Sequence, residues 1–600
     1  MENTSIGECE VGKLVRKLET DYRSGNTTIS KYVNHDMLET LNRIDAYHYS
    51  KHITGDKDSL GRDKPFPNIV VSAENIWYRA TDIDRGNIKF KAKKKKDVIN
   101  AFLKTIHLQN WMRKENFGVF LNDWGRALSR YGSAVVKFVE VDGELHRYVV
   151  PWQTLIVDSV DFENNPVIEV LDLTEAQLYQ RKGYDKELVE KLCDAKTSRK
   201  TAEGTNKDNK NDYIRVYEIH GMLPLSYLTG KDGDDDTFVQ QMHVISFVES
   251  KEAGKYDDYT LYSGQEEKNP YMITHLIREE GRTLSIGPVE YLFDTQWMIC
   301  HTAKAIKDQL DLATKLIFQT SDSTFVAMNA MTAIETGDIL IHKPNEPITQ
   351  VANNSHDITP TQNFANWFKS IGIESVGVSE AMLGKAAVSG TAWRQVEALL
   401  NESHDLFDQM IENKGLHIED MMRKYVLPFI NKKMDTTEEI AATLQMNDID
   451  MIDSMYIKTK SVKEANKIIK ARMKRGKPTT PEEQAMIIDT LKQNMKSNFG
   501  SLGNQRFFSP SEIPTKTWKE LFKDSDDDIE VDVTGESVDK DAMTTLNSVL
   551  AFFVRKNGQP LTSEERFTIN KILMQSGTVS PIEISSLNSN SSQAQPNPTQ

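Results

Sequence analysis

Apolar residues recur at helical spacing at the start of the chain. Leu14, Leu18 and Tyr22 stand four apart and Tyr32, Leu38 and Leu41 follow, so Val11 to Tyr49 predicts two surface-facing helices. Gly55, Gly61, Pro65 and Pro67 then punctuate a linker that leads into the apolar patch Ile69 to Val71. Helical spacing returns from Asp97 to Ser129 in Ile99, Phe102, Leu103, Ile106, Trp111, Phe117, Phe120, Leu121 and Trp124. After Tyr131-Gly132 the period changes to two. Ala134 to Val141 and Glu144 to Val150 flank Asp142-Gly143, which supplies the positive φ of a tight turn, so a hairpin is predicted that ends at Pro151-Trp152. Strands follow at Thr154 to Val157 and Val167 to Leu173, then a helix over Glu175 to Cys193 and a polar surface loop over Asp194 to Asp212. Further strands at Tyr213 to His220 and Met242 to Val248 enclose the acidic turn Asp232 to Asp236.

From Gly287 the texture is helical. Leu292, Ile299, Ile306, Leu310, Ala313 and Ile317 form one long stripe, followed by the short strand-like runs Ile339 to Ile341 and Ile348 to Val351 between glycines and prolines. A second helical run is predicted over Thr361 to Leu383, then a small-residue stretch from Gly384 to Ala392. A long helix begins near Trp393, carries Val396, Leu400, Phe407, Met410, Ile418 and Met421 on one face, and is expected to end at Pro428. Short elements and acidic turns are expected from Thr436 to Ile468, helices beyond Pro481, and a loop from Ser497 to Pro514. The acidic run Asp524 to Asp528 precedes two terminal helices near Ala542 to Arg555 and Ser563 to Gln575, and the polar tail from Ser585 reads as disordered. The pattern is that of a helix-rich α+β protein with a mixed first half.

Composition narrows the partners. A net charge of −15 lacks the basic excess of a protein that coats nucleic acid. Cys9, Cys193 and Cys300 are few and far apart, which argues for a reducing compartment and against a disulfide framework or cysteine zinc site. The first residues lack a signal-peptide pattern and no long apolar run occurs, so neither export by that route nor membrane insertion is expected.

No catalytic constellation, cofactor site or metal site is read from the sequence. Gly384-Lys385 is the nearest approach to a phosphate loop, but Ser379 and Ala386 occupy the positions of its first glycine and its hydroxyl. The aspartate runs Asp232 to Asp236 and Asp524 to Asp528 have the ligand chemistry for Mg²⁺ or Ca²⁺, yet acidic turns are usually solvated. His146, His220, His243, His275 and His404 lack metal spacing. Lys91 to Lys96 is the densest basic run, readable as a phosphate contact or as a solvated helix entry.

The order of parts resembles the portal, or head-to-tail connector, proteins of tailed bacteriophages. Four segments carry the resemblance: Gly132 to Val141 through Pro151 to Asp158; Ser285-Ile-Gly-Pro-Val-Glu-Tyr-Leu292 with Gln296; Ala381 to Ala392; and the terminal pair Thr544 to Arg555 and Glu564 to Gly577. The resemblance implies a wing at 1–284, stem helices at 285–318 and 361–380, a small α/β clip at 319–360, a tunnel loop and long wing helix at 381–480, a helical crown at 481–580 and a tail at 581–600. It further implies a homo-oligomeric ring, about twelve subunits in the family, at one capsid vertex of the virion. Such a ring is assembled in the bacterial cytoplasm and is the conduit for DNA packaging and ejection.

Under that resemblance Lys385, Ser389 and Thr391 face double-stranded DNA in the channel, and Ile339, Ile341, His342 and Lys343 dock the terminase and later the neck and tail adaptors. The Lys91 to Lys96 run meets the major capsid protein or a scaffold. Two other readings stay open. One is another head-tail adaptor or minor head protein, and the other a metal-dependent nucleic-acid enzyme built on the aspartate runs.

Overall fold

A computed structural model describes residues 7–30, 33–94, 97–202, 213–230, 236–250, 254–313, 318–319, 321, 344–345, 349–350, 357–378, 382, 393–436, 438–443, 446–474, 480–500, 505–508, 517–522 and 527–531. The chain begins α1 (Glu10–Ser24), β1 (Asn26–Ser30), β2 (Val33–Asp36), α2 (Met37–His48), α3 (Val70–Ala80), β3 (Ile88–Ala92), α4 (Val98–Lys114), α5 (Phe117–Tyr131), β4 (Ser133–Val141) and β5 (Glu144–Val150). It continues β6 (Leu155–Ile156), β7 (Val167–Thr174), α6 (Glu175–Gln180), α7 (Lys186–Ala202), β8 (Tyr213–Pro224), α8 (Ser226–Thr229), β9 (Phe238–Glu249), β10 (Tyr256–Gln265) and β11 (Tyr271–His275). Next come α9 (Pro288–Tyr291), α10 (Phe293–Ala313), β12 (Phe318–Gln319), β13 (Thr349–Gln350), α11 (Thr359–Ser375) and α12 (Trp393–Met421). A π turn at Met422–Val426 leads to α13 (Leu427–Lys433), β14 (Ile440–Thr443), α14 (Met446–Lys474), α15 (Pro481–Gly500), β15 (Gln505–Phe508), α16 (Trp518–Phe522) and β16 (Asp527–Val531). Helix outweighs strand, 53% against 23% of the described residues, so the fold class is helix-rich α+β.

The chain divides into two compact units, one of residues 1–82 and 120–414, the other of residues 83–119 and 415–600. In the first unit, an antiparallel five-stranded sheet runs in the order β10-β9-β8-β7-β6. Helices pack on both of its faces. Along β8, Ile214 and Val216 meet Leu178, Val189 and Leu192 of α6 and α7 on one face. Tyr217 and Ile219, of opposite parity, meet Val11 and Val15 of α1 on the other. Arg16 anchors α1 through the buried carboxylate of Asp258 at 2.5 Å, and Gly12 lies so close to that carboxylate that a Cβ would sit 2.1 Å from it. A second sheet, β11-β4-β5, contains the predicted hairpin, and Asp142 and Gly143 turn it at φ of 53° and 75°.

In the second unit, β3 pairs with β16, β14 pairs with β15, and α14 packs on α15. Several sequence expectations are corrected. The 11–49 region holds a β1–β2 hairpin between its two helices. The expected helix over 175–193 is broken at Gly183 (φ 89°), and its second half continues to Ala202, inside the expected loop. The Asp185 carboxylate caps that second half through Glu187 and Leu188 N–H. The 361–383 run stops at Ser375, where Gly377 turns left-handed at φ 70°. Pro428 does not end the long helix. It lacks an N–H and its ring collides with the carbonyl four residues back, and the π turn absorbs both effects by letting Leu427 N–H bond Met422 five residues back. The short elements expected from 436 to 468 are largely one helix, α14. The loop expected from 497 to 514 begins as helix and contains β15. Strands β10 and β11 were not expected at all.

Candidate functional site

Lys385, Ser389 and Thr391 lie outside the described residues, as do Ile339, Ile341, His342 and Lys343, both terminal helices and the polar tail. What can be built is the support of the two long helices α10 and α11 in the first unit. Two segments singled out in the sequence meet there. A Cβ on Gly287 would lie 2.7 Å from Gly132 N, and one on Gly132 would lie 2.8 Å from Gly287 N, so backbone packs on backbone. Only glycine fits either position, and Gly132 also adopts φ 75°. Ser133 braces the same junction, its Oγ accepting from Ser285 N–H at 2.8 Å and its carbonyl from Trp152 Nε1.

Pro288 then starts α9 at a position where a missing N–H costs nothing. Gln296, fully buried in α10, accepts from Ile69 N–H at 3.0 Å and donates to Pro67 O at 2.9 Å. The expected linker at 55–67 is therefore strapped onto the helix. Arg62 completes the strap with ion pairs to Asp308 at 2.8 Å and Asp311 at 3.2 Å.

Helices α10 and α11 pack antiparallel, because Gly372 near the end of α11 touches Thr295 near the start of α10, and a Cβ there would lie 2.4 Å from the Thr295 hydroxyl. At their other ends Phe318 pairs with Gln350 and Gln319 with Thr349 in a short antiparallel ribbon. The outward surface of this helical hairpin is aromatic. Trp297 is 52% exposed and Trp367 57%, with Leu310, Phe364 and Ile371 also exposed. Phe364, Trp367 and Ile371 follow i, i+3, i+7 spacing and so share one face of α11, whose 17 residues include only Lys369 and Glu374 as charged side chains. Aromatic enrichment with charge depletion is the composition of an interface core. The periodicity of α10 was legible in the sequence, but which part of its stripe stays uncovered was not.

The first unit also holds a buried charge network. Lys137 of β4 reaches across to Glu169 of β7 at 2.7 Å and Glu218 of β8 at 2.6 Å, all three side chains under 8% exposed. Glu169 and Glu218 are direct cross-strand partners, a repulsive pairing that the lysine neutralises. Tyr271 donates to Glu169 at 2.7 Å. His220 bonds Glu218 through Nε2 at 2.8 Å and Glu266 through Nδ1 at 2.9 Å, so each ring nitrogen faces a carboxylate, an arrangement that favours the imidazolium. Burial opposes that charge, but the two carboxylates outweigh it and raise the His220 pKa. Burial likewise disfavours the Glu218 anion, yet the His220 hydrogen bond and the Lys137 charge hold it down at about 2. This arrangement links the two sheets through side chains buried in the core.

Two other features resolve into packing. Lys91 and Lys93, from the basic run, pair with Glu530 at 2.7 Å and Asp528 at 3.6 Å, where β3 lies beside β16. Asp528 of the second aspartate run is also held by Arg423 at 3.1 Å. Ser133 and His275 stand 2.8 Å apart like a nucleophile and its base, but Ser133 is fully buried. Among the described residues no group of three or more His, Cys, Asp or Glu side chains is placed to hold a metal ion, and no helix is long and apolar enough to cross a membrane. No protein-family model matches the sequence, and no curated protein matches it either.

Proposed function

We propose that this chain is the subunit of a phage portal: a closed ring at one capsid vertex through which DNA is packaged and ejected, and on which terminase and then neck and tail proteins dock. The single observation that carries the reading is the braced antiparallel helical hairpin that turns exposed tryptophans away from its own unit. A monomer gains nothing from holding Trp297 and Trp367 rigidly in water, whereas a cyclic assembly buries such faces against a different face of the next subunit. The mixed α/β body before the first helix, and the short ribbon between the helices, follow the order of wing, stem and clip. The net charge of −15 suits a channel that must let duplex DNA slide rather than bind it by counterion release.

The test is electron microscopy of purified protein beside the variants Trp297→Glu and Trp367→Glu. Rings of about twelve subunits with a central hole are expected from the native chain, and dissociated subunits with unchanged circular dichroism from the variants. Monomers or dimers of native protein at high concentration, or rings indifferent to both substitutions, would overturn the reading.

A further inference from the structure

A cavity of 320 Å³ in the second unit has no place in the mechanism above. Its size is that of a site for one side chain or a small ligand rather than an extended substrate. The walls are His107 and Trp111 of α4, with Trp518 of α16 buried behind them, its ring edge-on to His107 at 4.8 Å. These walls are fixed in place. Trp518 Nε1 donates to Glu438 O at 2.8 Å, Trp518 N to Thr436 O at 3.2 Å, and Asn110 Nδ2 to Ala441 O at 3.0 Å.

Glu438 and Glu439 stand exposed at the rim, and neither carboxylate makes a hydrogen bond or ion pair among the described residues. The remaining charged side chain of the lining, Lys433, holds its ammonium 4.7 Å from the Phe429 ring centre, so the rim is net negative. His107 Nε2 is shut off from water and has no hydrogen-bond partner, and burial pushes the ring pKa down to about 4, leaving it neutral. Aromatic walls with unpaired carboxylates are complementary to a flat, delocalised cation, and a guanidinium carries five donors in a fixed fork that two carboxylates can share.

We infer that this cavity is a docking site for an arginine side chain presented by a partner protein. The inference does not depend on ring assembly. Calorimetric titration of the full chain with the peptide Ac-Gly-Arg-Gly-NH₂ tests it. A dissociation constant on the order of 1 mM is expected for a single side chain, at least about tenfold weaker for the neutral citrulline peptide. The variant Glu438→Gln/Glu439→Gln, altered only at exposed positions, is expected to lose about tenfold in affinity, and Lys433→Gln to gain a few-fold. Equal binding of the citrulline peptide, equal binding of a lysine peptide, or native affinity in the double variant would each overturn the assignment, as would no heat signal from the native chain.

Discussion

Replacing Lys137 with methionine removes the one cation between Glu169 and Glu218 while keeping an unbranched chain of similar length. Both carboxylates lie within 2.7 Å of the ammonium and are more than nine-tenths buried. The network of Lys137, His220, Glu169, Glu218 and Glu266 passes from one net negative charge to two. Breaking a buried pair by deleting one partner costs about 3–5 kcal/mol, or about two to three and a half decades in the unfolding equilibrium at ~1.4 kcal/mol per decade. Urea unfolding followed by tryptophan fluorescence reads this, since Trp124 and Trp152 are buried in the same unit.

The loss should shrink as pH falls from 7 towards 4.5. In the variant the folded-state pKa of a carboxylate rises above its unfolded value of about 4.3, so the penalty is complete above the raised pKa and fades below it. The triple variant Lys137→Met/Glu169→Gln/Glu218→Gln should recover most of the stability at pH 7, because the amide introduced by Glu218→Gln still offers His220 an acceptor. A loss under about 1 kcal/mol at pH 7, the scale of an exposed pair, or a loss that is the same at pH 4.5, would refute the claim that charge compensation holds the sheets together.

Gly287→Ala places a methyl against Gly132 N and Arg130 O, and should cost about 1–3 kcal/mol or more in the same urea assay, while alanine at the exposed hairpin turn residue Gly143 meets no atom within 4 Å and tests positive φ alone. His220 has a raised folded pKa, so its contribution is complete below its unfolded value near 6.5 and is lost as pH rises through the folded pKa. Urea midpoints should therefore fall from pH 6.5 to 8.5 in the native chain and flatten in His220→Gln, with the facing Glu218, Glu266, Lys137, Tyr271 and His243 left in place.

Elements that satisfy themselves locally were legible from the sequence. The hairpin at Asp142-Gly143 needs a positive φ at two adjacent residues, and only a few dipeptides provide it, so its turn and register could be read directly. Helices α4, α5 and α10 announce themselves by a sustained 3.6 period. Where neighbours supply the stabilisation, the reading went astray. Strand β10 begins Tyr-Asp-Asp-Tyr, a polar texture that becomes strand because Asp258 is paired by Arg16 from the far end of the sequence. Pro428 breaks isolated helices, yet here a π turn and the burial of Phe429 and Ile430 carry the helix past it. The two charge runs, Lys91 to Lys96 and Asp524 to Asp528, were each readable as a solvated surface or as a site for an outside partner, and the pairing of β3 with β16 sets part of one against part of the other.

The sequence by itself determined fold class, local turns and helix periods, because each follows from a residue's own backbone preference and from the spacing of apolar side chains. Only the tertiary structure decided which apolar faces are consumed within the chain and which remain uncovered on α10 and α11, and that Gly132 and Gly287 must touch. It alone decided that Lys137 balances two glutamates from another sheet. Those are relations between residues distant in sequence, and their energies exist only once the chain has closed the distance.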